Sequence, residues 1–338
     1  MSAKSPELSK LQTGIQLQHA SDQPISDQTL SEYGRRLKFD DKFLHRANEV
    51  CKKICDALSN SQIKPERFSV SESHVCQEGV EDTGVDIVAY LKQSDDLDKA
   101  KQHFNETVNK LGAQRFSMDD KGLLHFDLDN VKVNLGLSVS RGPTVGEHRQ
   151  VVFQQTSKLD KEGKLQKSQI EKVSVDLHDS MSEFMGKNRD EFDLAAQRLA
   201  RAWRRTAIAP MWEDFGPLES MLVMQNALER QRRSGGAQSM RSVMREYFNE
   251  LRDIEKMDLT FQNRSLYDWN LVPQWVREER PLLLDPVNPW RNVLGGIQRN
   301  VFAEVRNRAS EALQILDKEM SRMNELFNVP PEAVFRGA

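Results

Sequence analysis

Hydrophobic residues recur every three or four positions in "DDKFLHRANEVCKKICDALSN", which predicts an amphipathic helix. The apolar face consists of Phe43, Leu44, Ala47, Val50, Cys51, Ile54, Cys55 and Leu58. Asp40 or Asp41 precedes this face and is a suitable N-cap. The same spacing predicts a second helix across "DDLDKAKQHFNETVNKLG", which Gly112 ends.

The hydrophobic period changes to two in the neighbouring segments, as in half-buried strands. "RFSVSESHV" and "TGVDIVAYL" predict one strand each. "LLHFDLDNVKVNLGLSVS" predicts a β-hairpin that turns at Asp129 and Asn130. On its second strand one face carries Val131, Val133, Leu135, Leu137 and Val139, and the other carries Lys132, Asn134, Gly136 and Ser138.

Residues 142–180 are polar, and we interpret them as a long hairpin or a surface insertion at a domain boundary. Helical spacing then returns over 189–208, 217–232, 237–257 and about 296–327. Prolines at 281, 286 and 289 exclude a helix between the last two, so "RPLLLDP" predicts an extended, buried segment.

These patterns predict an α+β fold with two lobes and a cleft between them. Residues 37–182 form an N-terminal lobe with a mixed sheet, and residues 183–328 form an all-helical C-terminal lobe. Residues 1–36 are rich in Ser, Gln and Asp and lack apolar periodicity, so we expect a disordered tail there and a second tail at 329–338.

Composition and charge limit the classes of function. The chain has 338 residues and a formal net charge of −3, so any nucleic-acid surface must be a local patch. No apolar run approaches the roughly 20 residues that span a bilayer. The first residues also lack the apolar core of a signal peptide, which favours a cytoplasmic or nuclear location. Cys51 and Cys55 share an apolar helix face, which favours core packing over metal binding.

Asp86 is the first candidate for chemistry, because it interrupts the apolar run of "TGVDIVAYL". A carboxylate in such a strand must be solvated, paired or bound to a metal, since burying it bare costs several kcal/mol. A lysine or arginine partner near the strand end is the simplest of these outcomes.

Three stretches, in chain order, resemble one family. "GVDIVAYL" resembles the aspartate-bearing strand of nucleotidyltransferases of the DNA polymerase β type. "LARAWRR" followed by "LESMLVMQNALER" is similar to the helices that open the helical lobe of 2′-5′-oligoadenylate synthetases. "RPLLLDPVNPWRNVLGG" resembles the Pro-rich segment of the same family. The resemblance covers roughly residues 40–316.

The resemblance implies a two-lobed enzyme in which double-stranded RNA on the back face closes the cleft, so that ATP is joined through 2′-5′ linkages. Related sensors make cyclic dinucleotides on the same frame. Three aspartates, two of them spaced D-x-D on one strand, hold two divalent metal ions roughly 3.5–4 Å apart. A Gly-Ser turn upstream lets backbone N–H groups approach the phosphates.

This chain departs from the family's pattern at each of these points. Alignment places Asp86 on the second aspartate, Gly84 on the first and Asn134 on the third, and "SVSESHVCQEG" contains no Gly-Ser turn. A site that needs a charge of about −3 would keep about −1 and hold divalent metals poorly. The sequence therefore favours a catalytically degenerate member, with Asp86 as a remnant, no bound metal and no cofactor.

An alternative keeps the enzyme active through another set of carboxylates. Asp127 and Asp129 form a second D-x-D, although they sit at a hairpin turn where Asp is common for backbone reasons, and Asp82 lies four residues before Asp86. In that case Mg²⁺ and ATP or GTP are expected, and the product is 2′-5′ oligoadenylate or a cyclic dinucleotide.

Double-stranded RNA is a candidate partner by the same resemblance. Family members contact RNA phosphates with basic residues of two helices, which correspond here to Lys52, Lys53, Arg198, Arg201 and Arg205. The simpler interpretation is a solvated face paired with Asp190, Glu191 and Asp193. We therefore predict a pseudo-nucleotidyltransferase that acts as an RNA-binding or protein-interaction scaffold, with a protein partner or dimerisation possible and no membrane contact.

Overall fold

Two large hydrophobic cores organise the chain, one around a mixed sheet and one among helices. The computed structural model describes residues 24–37, 41–70, 85–92, 96–119, 123–186, 189–208, 215–235, 237–261, 264–318 and 322–327. Across these residues, no helix combines the length and apolar character that crossing a membrane requires.

The first half of the chain builds the sheet and the helices that cover it. Its elements are α1 (Asp27–Arg36), α2 (Asp41–Ser59), β1 (Arg67–Val70), β2 (Val85–Leu91), α3 (Leu97–Lys110), β3 (Gln114–Met118), β4 (Leu124–Leu128) and β5 (Val131–Val139). The strand order is β1-β2-β5-β4-β3, with β2 parallel to β5 and the other pairs antiparallel. The predicted α+β fold is confirmed.

Helices α2 and α3 pack on one face of the sheet. Ile54 and Phe104 are fully buried there against Leu135, which accounts for the helical spacing of apolar residues in both segments. The Cys51 thiol belongs to the same core, and burial raises its pKa to about 12. Core packing of Cys51 is thus confirmed.

The β4–β5 hairpin turns at Asp129 and Asn130, as the alternating pattern predicts. Their φ angles are 51° and 61°, which suits a two-residue hairpin turn and favours Asn, Asp or Gly.

Replacing Asn130 with valine is expected to lower the free energy of unfolding by about 1–2 kcal/mol, because a β-branched residue is strained at positive φ. Replacement with glycine is expected to cost nothing. Urea denaturation of both variants checks this, and equal stabilities would show that the turn is not held in this conformation.

The second half of the chain is helical apart from one short strand pair. Its elements are α4 (Val145–Lys161), α5 (Lys167–Asp176), α6 (His178–Gly186), α7 (Glu191–Ala207), α8 (Pro217–Arg233), α9 (Met240–Arg252), β6 (Asp258–Leu259), α10 (Gln274–Arg277), β7 (Leu282–Leu283), α11 (Arg299–Lys318) and α12 (Met323–Phe327), with 3₁₀ turns at Ile254–Lys256 and Trp269–Leu271. The final helix predicted over 296–327 is thus two helices.

The prediction of a hairpin or insertion at 142–180 is wrong, because α4 and α5 occupy this segment and α6 follows. Thr144 and Glu147 form a capping box at the start of α4. Val152 and Leu177 belong to the helical core, so α4 and the end of α5 contribute to this core although they precede residue 183. The polar composition of residues 142–180 suggested a surface segment because only a narrow stripe of each helix is buried.

The expected disorder of residues 1–36 is wrong for residues 24–36, where α1 packs against α7. Ile25 and Leu30 are fully buried in the helical core. A Cβ on Gly34 would lie 2.7 Å from the Ala195 carbonyl oxygen, so the missing side chain allows close helix contact. Residues 1–23 and 329–338 lie outside the described residues.

The Pro-rich segment is extended and buried, as predicted. Leu282, Leu283 and Leu284 are at most 1% exposed, and β7 pairs with β6 in parallel. The fully buried Asp285 accepts backbone hydrogen bonds from Val287 at 2.9 Å and Asn288 at 3.0 Å, which fixes the loop that follows.

Candidate functional site

A row of polar side chains crosses three adjacent strands at the same level of the sheet. Asp86 on β2 is paired in register with Asn134 on β5, and Asn134 with His125 on β4. The Asn134 amide donates to Asp86 Oδ1 at 2.6 Å, and its Oδ1 lies 2.7 Å from His125 Nδ1. The half-buried Asp86 thus has an uncharged amide as its partner rather than the expected lysine or arginine.

Asp119 extends the row at its outer end. Its carboxylate lies 3.2 Å from His125 Nε2. Both ring nitrogens of His125 therefore face side-chain oxygens, Nδ1 that of Asn134 and Nε2 that of Asp119. Sequence reasoning missed both residues, although the two-residue turn of the hairpin already places His125 opposite Asn134.

A second polar group lies on the same face of the sheet, beneath α5 and α6. Ser69 Oγ is 2.9 Å from His178 Nδ1, and Arg67 forms an ion pair with Asp179 and covers the Tyr90 ring at 3.6 Å. Desolvation lowers the pKa of His178, and the nearby carboxylates of Asp86 and Asp179 oppose that shift.

Asp176 joins the sheet to the helices through a buried hydrogen-bond network. Its carboxylate accepts from Ser138 at 2.7 Å and Arg141 at 2.9 Å. Its carbonyl oxygen lies 3.2 Å from the Tyr90 hydroxyl and 2.8 Å from His148 Nε2. Burial lowers the pKa of His148, so both ring nitrogens serve the network in the neutral form.

No protein-family model and no curated protein sequence matches the chain. Solved structures do match along most of it. The CdnC:HORMA-deltaN complex of E. coli MS115-1 aligns with a TM-score of 0.63 at 13% identity, covering 93% of this chain and 99% of that one. For the Cid1 poly(U) polymerase the TM-score is 0.58 at 12% identity, with 92% and 98% covered. For the GLD-2/RNP-8 complex it is 0.52 at 10% identity, with 90% and 99% covered.

These neighbours are polymerase-β-type nucleotidyltransferases. The chain has the nucleotidyltransferase fold. At 10–13% identity the likeness is one of architecture, so the chemistry has to be argued from the residues of this chain.

Among the residues that the structure describes around Asp86, the donors do not make up the carboxylate set that the family resemblance implies for two metal ions. Of the two paired side chains, Asp86 carries a carboxylate and Asn134 an uncharged amide. One oxygen of the Asp86 carboxylate accepts a hydrogen bond from that amide. Among the described residues, no three His, Cys, Asp or Glu side chains are grouped to hold a metal ion. Gly84, aligned with the first aspartate of the family, lies outside the described residues, as does Asp82.

The alternative D-x-D stands apart from this row. Asp127 lies 3.3 Å from Arg115, and Asp129 accepts from Lys53 at 3.1 Å. Neither carboxylate forms a hydrogen bond or ion pair with Asp86. Each is engaged by a cation of its own, so this second D-x-D does not rebuild the carboxylate set at Asp86.

The predicted basic stripe on α7 faces the interior of the nucleotidyltransferase fold. Arg198 is fully buried and Arg201 is 6% exposed. Arg198 donates to Glu191 at 2.9 Å and to the Gly34 carbonyl at 3.5 Å, so it holds α1 against α7. The burial of Arg198 and Arg201 argues against their predicted contact with RNA phosphates, whereas Arg205 is half-buried.

Lys52 and Lys53 are both exposed on α2. Lys53 forms its ion pair with Asp129 at the hairpin turn, and both partners are about half exposed. Of the five basic residues predicted to contact RNA, Lys52 and Lys53 are the exposed ones. A predicted contact with RNA phosphates would therefore be made mainly by α2.

Proposed function

We propose that this protein is a pseudo-nucleotidyltransferase that acts as an interaction scaffold rather than as an enzyme. The supporting observation is the 2.6 Å hydrogen bond from Asn134 to Asp86. The family resemblance aligns Asn134 with the third aspartate, so the amide there supports the loss of a carboxylate, and its hydrogen bond engages one oxygen of Asp86.

The charge at the row argues in the same direction. Two divalent ions bring four positive charges, whereas Asp86 supplies about one negative charge and His125 lies on the other side of Asn134. An amide oxygen can coordinate a metal but neutralises none of its charge. A nucleotidyltransferase site of this composition would lose several kcal/mol of transition-state stabilisation.

A scaffold role accords with the structural neighbours. CdnC and GLD-2 were each solved in complex with another protein, HORMA-deltaN and RNP-8 respectively. We infer that this chain likewise works in a protein assembly. RNA remains a further candidate partner through Lys52 and Lys53, because these lysines are exposed whereas Arg198 and Arg201 are buried.

Incubation of the purified chain with ATP, GTP and Mg²⁺ or Mn²⁺, with and without double-stranded RNA, is expected to yield no nucleotide-joining product. Chromatography of the reaction against a protein-free blank checks this.

The Asp86→Ala variant supplies the control for contaminating enzymes, and Asp98→Ala, on the exposed face of α3, supplies a matched loss of one carboxylate. A product that persists in Asp98→Ala but disappears in Asp86→Ala would show that the protein is an enzyme and overturn the proposal.

A further inference from the structure

A cavity of about 900 Å³ opens at the end of α5 remote from the Asp86 row. Its wall includes Lys167 and Ile170 from the start of α5, Arg299 from the start of α11, and the Gly295–Gly296 turn. Lys167 and Asp176, at the two ends of α5, are about 14 Å apart at 1.5 Å per residue. No residue of the Asp86 row lines the cavity.

The acids of the cavity all have partners. Glu279 accepts from Asn292 at 2.8 Å, Glu255 pairs with Arg306 at 2.8 Å, and Glu171 lies 3.7 Å from Arg291. Lys167 and Arg299 line the same cavity, and within the described part of the chain neither side chain forms a hydrogen bond or an ion pair. The cavity therefore has an excess of positive charge.

Two helix N-termini add to this positive potential. Lys167 and Arg299 are the first residues of α5 and α11, where a cation opposes the helix dipole. Neither helix has an acid in its first turn to offset this interaction. An anion bound between Lys167 and Arg299 would offset the unfavourable interaction of each cation with its helix dipole.

Aromatic side chains form another part of the wall. Trp275 is 43% exposed, and its indole N–H donates to Asp160 at 3.2 Å, which orients the ring. Trp290 is 1% exposed, and its indole N–H has no acceptor among the residues that the structure describes. A Cβ on Gly296 would lie 3.5 Å from Lys167 Nζ, so this glycine keeps the backbone beside the lysine uncovered.

We propose that this cavity binds a nucleoside monophosphate. The phosphate neutralises Lys167 and Arg299, and the base lies against the exposed tryptophan. A volume of about 900 Å³ is within the roughly 300–1,000 Å³ of small-molecule sites and has room for a nucleoside monophosphate. The site is separate from the Asp86 row and does not depend on whether that row is catalytic.

Titration of the full chain with AMP, followed by calorimetry and tryptophan fluorescence, tests the proposal. We expect saturable binding of AMP, with adenosine and inorganic phosphate each at least tenfold weaker. Lys167→Glu and Arg299→Glu should each weaken AMP binding at least tenfold, because each turns an attraction for phosphate into a repulsion.

Lys172→Glu makes the same charge change on α5 at an exposed residue outside the cavity lining and should alter the affinity less than twofold. Asp86→Ala should also leave binding unchanged, which separates this site from the row. Because the substituted lysines and arginine are exposed, circular dichroism should show all variants folded. Absence of AMP binding at millimolar concentration, equal affinity for adenosine, or equal loss in Lys172→Glu would overturn the proposal.

Discussion

Replacing Arg198 with glutamate is expected to destabilise the protein by at least about 3 kcal/mol, because it puts a carboxylate at a fully buried position that now holds a cation. The variant also loses the hydrogen bonds to Glu191 and to the Gly34 carbonyl, and so the contact between α1 and α7. Urea denaturation followed by circular dichroism measures the loss. We expect α1 to become accessible to proteolysis first.

Arg205→Glu is the matched control, since it makes the same charge change on the same helix at a half-buried position. It should cost less than about 1 kcal/mol. If Arg198→Glu were as stable as Arg205→Glu, Arg198 would face solvent, and the assignment of this stripe to RNA would regain its basis. Loss of RNA binding in Arg198→Glu counts as evidence only if the variant is folded.

Replacing Asn134 with aspartate is expected to lower the free energy of unfolding by about 1–3 kcal/mol at pH 7. The new carboxyl faces Asp86 across a contact that is now a hydrogen bond of 2.6 Å, and two negative charges at that separation repel each other. The loss should shrink toward pH 4–5, because the pair can then share a proton, and grow as the pH rises. Thermal unfolding at several pH values checks the sign.

The Asn134→Asp variant also tests whether the Asp86 row lacks the negative charge that a divalent metal ion requires. With two carboxylates facing each other, Mn²⁺ is expected to raise the melting temperature of Asn134→Asp while leaving the natural chain unchanged. Asn109→Asp, an exposed substitution on α3, is the control for the added charge. Equal Mn²⁺ stabilisation of the natural chain would mean that further acids converge on Asp86, which would contradict the proposed loss of catalysis.

Much of the row that carries the proposed function could be derived from the sequence. The period of two puts Asn134 and Gly136 on one face of β5, and the turn at Asp129 and Asn130 fixes the register of the hairpin. Counting back from that turn places His125 opposite Asn134. The parallel pairing of β2 with β5, which brings Asp86 beside Asn134, came from the structure, since the family resemblance had only aligned these two residues with aspartates of the family.

The interpretation of the sequence failed where neighbouring helices bury a polar segment. The α7 arginines form a stripe at helical spacing, and charge alone places such a stripe in solvent. In the structure α1 packs against α7, and the Arg198 guanidinium donates to the Glu191 carboxylate and the Gly34 carbonyl. Residues 24–36 carry too little apolar surface to predict this contact. Gly34 contributes to it because the absence of a side chain lets α1 approach α7 closely.

Local spacing by itself determined the helices α2, α3 and α7 to α9, the β4–β5 hairpin and the extended Pro-rich segment, because each depends on contacts between near neighbours in the chain. Only the tertiary structure decided the burial of Arg198, the partner of Asp86 and the cavity between α5 and α11. Each of these depends on groups from distant segments, and the free energy of a charged side chain is set by the groups around it rather than by its place in the sequence.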